Sequence, residues 1–437
     1  MGIIHLPPED LVYLGPLKSG QRVAVVGGGP SGASCAIALR RLAVARGLDL
    51  EIVLFEAKDF RAESNVCVGV LSPPFRRLLG RLGLELPEHL IQRVVTGYVL
   101  HADRSSLVLD DQAGTEPTLV VHRADLDQFL LDSAEQLGVK VMYDAVVDLR
   151  FSRSTALVVS SGGARILAQA VVGAVGLNRY AMAIFESGME GYRRPQVMRS
   201  ILIEVPMAEP LIEERFGNRI HAILPPSLPR IEFGALTPKR DRVVVNAAGE
   251  EIDDDDFDSF LRLPLVERML AGTDLGQPRA HEVFPTRPAR HFAQDRIVTI
   301  GNASGLMRPL KGKGINTGIL MGMRAAATMM DVGVSDRAFA ALYRNCRDIT
   351  SEYKYGLFLR WLYRTSRRMG WMDAVIEAAG REKQLRHLFH GMVSGEDSYK
   401  QLVRSTAARP LLLARLGVDI LRHRRPEPTP VGLPANH

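Results

Sequence analysis

Cysteine is scarce. Only three occur in 437 residues, Cys35, Cys67 and Cys346, too few and too scattered for a disulfide framework or a structural zinc pattern. Long hydrophobic runs are missing too. The best candidate, Ile166 to Leu177, is short and flanked by Arg165 and Arg179, so no membrane-spanning helix is expected. The opening stretch, MGIIHLPPEDLVYLGPLKSG, has prolines and acids where a secretion signal needs basic residues and an unbroken apolar segment. A cytoplasmic protein is expected. No nucleic-acid-binding module is recognisable, so the net charge of +6 is not assigned to nucleic acid. That charge is uneven: between Tyr353 and Arg425, 15 Lys and Arg face 6 Asp and Glu, and the basic surplus belongs to the C-terminal segment.

What the chain does have is 46% hydrophobic residues, enough for a sizeable core, and a stretch around which the rest is arranged, RVAVVGGGPSG at residues 22–32. An apolar run, Val23 to Val26, stops at three glycines, and a helical pattern of small residues, Ser31 to Leu42, begins at once. Gly27, Gly29 and Gly32 fall at the GxGxxG spacing, where each missing Cβ answers a separate need: the turn, close approach to a pyrophosphate, and packing of helix against strand. The first N–H groups of that helix, at Ser31 and its neighbours, then face the phosphates. A second β-like run, Glu51 to Phe55, ends in Glu56, placed to accept hydrogen bonds from ribose hydroxyls.

Further along, Asp125 is expected to open a helix with Leu126, Phe129, Leu130 and Leu137 on one face and Gly138 at its end, with Arg123 just before it. Strands are expected at 140–148, 155–160 and 170–175, the last stopping at Gly176. From Tyr180 to about Pro285, short β-like runs separated by prolines predict an antiparallel sheet. The acidic run Asp253 to Asp256 reads as a helix N-terminus, not a metal site, and no metal is expected elsewhere. The parallel pattern returns at Arg296 to Ile300, followed by GNASGLMRPLKGKGI and a helix over Ile315 to Met330 whose methionines read as core.

Four regions in this order, the glycine turn with Glu56, the Arg123 helix, the strand ending at Gly176, and GNASGLMRPLKGKGI, resemble the geranylgeranyl reductase family of FAD-dependent oxidoreductases, within the larger hydroxylase-like FAD group. The resemblance covers about residues 20–335. It implies an α/β fold: a Rossmann-like FAD-binding domain at 20–93, 122–179 and 286–334, an interleaved antiparallel β-sheet substrate domain at 94–121 and 180–285, and a basic C-terminal helical segment at 335–437. It implies FAD, held by Gly27, Gly29, Ser31, Gly32, Glu56, Arg123 and Gly176 on one side and by Gly301, Asn302, Gly312, Gly314 and Ile315 on the other. N–H groups of a helix starting near Gly314 are suited to the N1 and O2 edge of a flavin.

Three positions depart from the family. Asn302 stands where it usually has Asp. Ala174-Val175-Gly176 replaces an Asp-Gly motif, and valine cannot hydrogen-bond a pyrophosphate, so a ferredoxin-type electron donor is expected rather than NADPH. Phe233, Ala235 and Pro238, expected in the substrate pocket, lie in a stretch whose small residues replace the family's aromatic ones, which implies a wider pocket. Cys67 and Gly69 are similar to the family's Cys-x-Gly segment near the flavin, and Cys67 is the candidate proton donor for reduction of a carbon–carbon double bond in an isoprenoid or lipid-like substrate. A buried, inert cysteine is the alternative, and an FAD monooxygenase acting on an aromatic or polyketide-like compound is the rival activity. Trp361, Leu362, Tyr363 and Trp371 among Arg360, Arg364, Arg367 and Arg368 suit either a helix lying on an anionic membrane surface, with peripheral attachment to the inner face, or a lid over the substrate sheet.

Overall fold

The computed structural model describes residues 13–62, 67–111, 116–307, 314–394 and 397–422. Its first strand, β1 (Arg22–Val26), is buried along four of its five residues, as a strand covered on both faces must be. It leads through the glycine turn into α1 (Pro30–Ala45), where Pro30 supplies the φ that a first helical turn wants. The strand β2 (Glu51–Phe55) pairs parallel to β1, Val23 opposite Ile52. Then come β3 (Gly97–His101), α2 (Arg123–Gln136) and β4 (Ala170–Gly173), which lies parallel to β1 on its other side. Five further strands follow: β5 (Gln196–Pro206), β6 (Arg219–Ile223), β7 (Phe233–Pro238), β8 (Arg242–Gly249) and β9 (Ala280–Arg287). The helices α3 (Gly314–Asp331), α4 (Arg347–Arg368) and α5 (Lys383–Ser394) complete the set that builds the site.

The nucleotide sheet has six strands, ordered Ala293–Gln294, Ile297–Thr299, β4, β1, β2, Lys140–Met142. All pairs are parallel except the outermost, Ala293–Gln294 with Ile297–Thr299. The expected Rossmann-like arrangement is present. Against it α1 and α3 cross closely because glycines face the crossing. A Cβ on Gly322 would stand 2.5 Å from the Ser31 carbonyl oxygen and 2.9 Å from the Cys35 nitrogen, both backbone atoms that cannot swing aside.

The substrate sheet has seven strands, ordered β9, β5, β8, β7, β6, β3, Ser106–Asp110. The expectation of an antiparallel sheet holds with one correction: β6 runs parallel to β3, Arg219 opposite Gly97. These strands come from distant parts of the chain, so no hairpin forces them to run in opposite directions. Period-two alternation splits the sheet into two faces. Ile201, Ile203, Val205, Leu236, Val243 and Val245 pack beneath Glu209–Phe216, Asp254–Leu261 and Pro264–Met269, and the other face looks into a cavity. Of the 94–121 segment, Thr118–Val121 pairs instead with Ile91–Val95 and Val70–Leu71 in a separate small sheet.

Other boundaries also move. The helix expected to open at Asp125 begins at Arg123, leaving Asp125 in its first turn where a carboxylate favours the dipole. A helix at Arg179–Gly188, not anticipated in the sequence, precedes the strands of the 180–285 segment. Asn178 caps it by accepting from the Tyr180 and Ala181 N–H groups, both at 3.0 Å. Asp253 does cap the acidic helix, through a reciprocal pair with Asp256, and among the described residues no group of His, Cys, Asp or Glu is arranged to hold a metal. Beyond 335 the described chain is helical, as expected, and none of its helices is long and apolar enough to cross a membrane.

Candidate functional site

The glycine turn is fixed by its neighbours. Gly27 sits at φ +105°, and a Cβ there would lie 2.4 Å from the Ala174 carbonyl oxygen; on Gly32 it would lie 1.8 Å from the Gly27 carbonyl oxygen. These two glycines therefore serve the turn and the packing of α1 on β1. Gly29 differs: a Cβ there would meet only the Arg123 Nη2, at an ordinary 3.7 Å, and its surface faces the cavity. Of the three glycines, Gly27 and Gly32 are thus required by backbone packing, and Gly29 is the one left with open space beside it. Glu56, at the end of β2, accepts from the Gly28 N–H at 2.6 Å and the Lys58 N–H at 3.0 Å. Burial pushes its carboxyl up, and those N–H donors pull the other way.

The second glycine region meets the first at Ser31. A Cβ on Gly301, at φ +62°, would stand 2.2 Å from Ser31 Oγ, and one on Gly318 2.3 Å from it. Asn302 sits in the short helical turn after Ile297–Thr299, where a Cβ on Gly314 would come within 2.7 Å of its Oδ1. Ser31, Asn302, Gly314 and Ile315 all line the one cavity. Gly312 lies outside the described residues. Asn316, in the first turn of α3, donates to the Ser72 carbonyl at 2.8 Å, while its buried Oδ1 has no partner. Gly176, at φ +60°, also lines this cavity.

Arg123 begins α2 and points back to the glycine turn. Its Nε donates to Asp127 Oδ1 at 2.7 Å, and Asp127 is fully buried. Burial opposes the arginine's charge, but the Asp127 carboxylate it binds, with a smaller contribution from nearby Cys67, holds its pKa above the ordinary value. The start of α2 is also tied to the substrate sheet: His122 faces the Lys239 Nζ at 3.3 Å, and that Lys239 donates to Glu204 on β5 at 3.0 Å. Cys67, half-buried, lines the cavity beside Gly69.

The cavity, about 430 Å³, runs from these groups onto the open face of the substrate sheet. Phe233 and Ala235 line it as expected. Pro238 does not: it closes β7 opposite Val243, and strand alternation presents Thr237 instead. Tyr98, Leu100, Ile220, Ala222, Leu202 and Phe284 make the rest of the sheet wall largely apolar. Sequence reasoning missed Thr237, Asn246 and Glu282, whose position on the cavity face follows only from knowing which side of the sheet the helices cover. Glu282 keeps contact with solvent, yet burial pushes its carboxyl up, with Lys58 and Arg123 pulling against that.

The C-terminal segment forms the opposite wall through Tyr363, Phe389, Met392 and Val393. Three arginines of α4 are turned inward. Arg360 grips Glu232 at 2.7 and 3.0 Å, Arg364 grips Glu250 at 3.0 and 3.1 Å, and Arg367 donates to the Ile231 carbonyl. The lid arrangement is therefore present, and three of the four arginines expected to meet lipid phosphates bind the substrate sheet instead. Phe358 and Trp361, stacked at 6.0 Å, stay exposed.

FAD fits the residues present. A pyrophosphate needs N–H donors and a cation around a backbone it can approach closely, and Gly29, Ser31 and Arg123 offer that set at one end of the cavity. A flavin needs donors and acceptors for its polar edge, and Ile315 and the unsatisfied Asn316 Oδ1 lie at the start of α3, with Asn302 beside Gly314. Glu56 stands behind the first turn, held by the Gly28 and Lys58 N–H groups.

Comparison with known proteins agrees. The model of the FAD binding domain family matches residues 21–332. Geranylgeranyl diphosphate reductase from Synechocystis sp. is 26% identical over 313 residues, covering 67% of this chain and 71% of that protein. A geranylgeranyl bacteriochlorophyll reductase-like protein from Thermoplasma acidophilum shares the fold with a TM-score of 0.68 at 15% identity, over 90% of this chain and 100% of the other. A flavin-dependent brominase does so with a TM-score of 0.68 at 15% identity, over 89% and 99%. The family match spans β1 through α3, the same stretch that brings both glycine regions to Ser31, and the chain belongs to the FAD binding domain family as an FAD-dependent oxidoreductase.

Proposed function

We propose that this protein reduces a carbon–carbon double bond in an isoprenoid or similarly apolar substrate. The observation that carries this reading is the continuity of the cavity, which joins the FAD-holding groups to an apolar sheet face with Cys67 and Glu282 on its wall. The Synechocystis relative, named for reduction of geranylgeranyl diphosphate, supports the same substrate class. Reduced FAD supplies hydride chemistry when bound. The chain's own part is to hold the alkene against Leu202, Ala222, Ala235 and Phe284, exclude water, and deliver one proton to the carbon that does not take the hydride. Cys67 Sγ, on the cavity wall, is the proton source in this reading. Glu282, which lines the same cavity, would return that proton. Electrons would come from a ferredoxin-type carrier, since Val175 offers no hydrogen bond to a nicotinamide cofactor's phosphates. The exposed Phe358 and Trp361 would let the lid helix rest on a membrane surface from which an apolar substrate is drawn.

The test is anaerobic turnover of the FAD-loaded protein, reduced by dithionite, with geranylgeranyl diphosphate and its alcohol, read by mass spectrometry. A mass gain of two hydrogens per double bond without oxygen is expected. Product that forms only in air and carries an added oxygen would replace the reductase reading with that of a monooxygenase.

A further inference from the structure

The cavity's sheet wall is largely apolar; besides Glu282 on β9 and Ser200 on β5, whose Oγ donates to the Ala247 carbonyl, it carries one pair of polar side chains on β7 and β8. Asn246 on β8 lies directly opposite Ala235 on β7, and Thr237 is the next residue of β7 on the same face, so the two are diagonal neighbours. Diagonal pairs on adjacent antiparallel strands have Cα atoms about 7–8 Å apart, near enough for one small polar group to touch both side chains. Both line the cavity, Thr237 with none of its surface exposed and Asn246 with 6%. Neither the Thr237 Oγ1 nor the Asn246 Oδ1 has a hydrogen-bond partner. A buried polar atom left unpaired is costly, and native interiors avoid it unless a ligand completes the set.

We propose that Thr237 and Asn246 form a docking subsite for a hydroxyl group carried by an otherwise apolar substrate. A hydroxyl is suited to both at once: it accepts from the Thr237 O–H and donates to the Asn246 Oδ1, a pairing that neither a hydrocarbon nor an ether completes. The surrounding Leu202, Ala235 and Phe284 would hold the apolar body. This sharpens the substrate class and rests on the proposal that an apolar compound occupies the cavity, without depending on which reaction follows. A site built to pair a hydroxyl discriminates steeply against the analogue lacking it.

The experiment measures binding, not turnover, using equilibrium dialysis of the full-length FAD-loaded protein against two matched pairs: farnesol with its methyl ether, and 4-nonylphenol with 4-nonylanisole. At least one hydroxyl compound should bind about tenfold or more tightly than its ether. Thr237→Val, which keeps the side-chain shape, and Asn246→Leu should each cut that preference to about threefold or less while leaving ether affinity unchanged, with thermal unfolding confirming that both variants fold. Equal binding within both pairs, binding of none of the four, or a preference that survives both substitutions would overturn the subsite. A preference confined to the phenol pair would keep it and remove the isoprenoid reading instead.

Discussion

Arg123 is where stability and cofactor binding meet in one side chain. It neutralises a fully buried Asp127 within its own helix and presents its other nitrogens to the glycine turn. Arg123→Leu should cost about 3–5 kcal/mol, because it leaves a buried carboxylate without its guanidinium. Adding Asp127→Leu should restore most of that loss in chemical unfolding yet leave FAD weakly bound. Recovery of FAD affinity in the double variant would show that Arg123 acts only through the helix. Cys67 separates differently. Cys67→Ser should lower kcat by about 10²-fold or more, with FAD content and KM little changed. Full turnover with an unaltered pH profile would reduce the thiol to a packing residue and leave Glu282 as the acid.

Among the elements, the contact of β3 with β6 has a property that the cavity face does not reveal. On the opposite face His101 and His221 stack at 5.2 Å, with His101 Nε2 and His221 Nδ1 2.9 Å apart and His101 Nδ1 2.8 Å from Ser106 Oγ. Burial pulls them down to about 3 and about 4, respectively. Both are neutral in the folded protein at pH 6.5, whereas the unfolded chain begins to bind protons there. Stability is therefore whole above about pH 6.5 and falls as the pH drops toward 4, by at most about 1.4 kcal/mol per pH unit for each ring. Thermal unfolding between pH 7 and pH 4.5 should show this slope, and His221→Gln should flatten it. A slope identical in the variant would assign the acid sensitivity elsewhere.

For the molecule as a whole, the joint that matters is between the substrate sheet and the C-terminal helices, since the cavity exists only while both walls stay together. The Arg360–Glu232 pair, with side chains 8% and 6% exposed, is its most buried link. Arg360→Met should cost about 3 kcal/mol, the low end for a broken buried pair, because it leaves Glu232 with only the longer Arg364 contact, at 3.6 Å. Arg360→Met with Glu232→Gln should recover much of it in denaturant unfolding. If the single variant unfolds like the native protein, the lid is held by its apolar contacts alone.

The sequence by itself determined what depends on neighbours in the chain. The strand, glycine turn and helix at 22–45, the placement of Glu56, and the caps at Asp253 follow from apolar runs and small residues a few positions apart. The family match and the closeness of Ser31 to Gly301 and Gly318 agree with that reading. The tertiary structure decided what depends on which surfaces meet. Nothing local says that β6 joins β3 in parallel, that Thr237 rather than Pro238 turns to the cavity, or that the arginines of α4 reach Glu232 and Glu250 instead of solvent. A strand's alternation is written in its residues. Which of its two faces is covered is set by helices far away in the chain, and the partner of a charge by whatever those helices bring beside it.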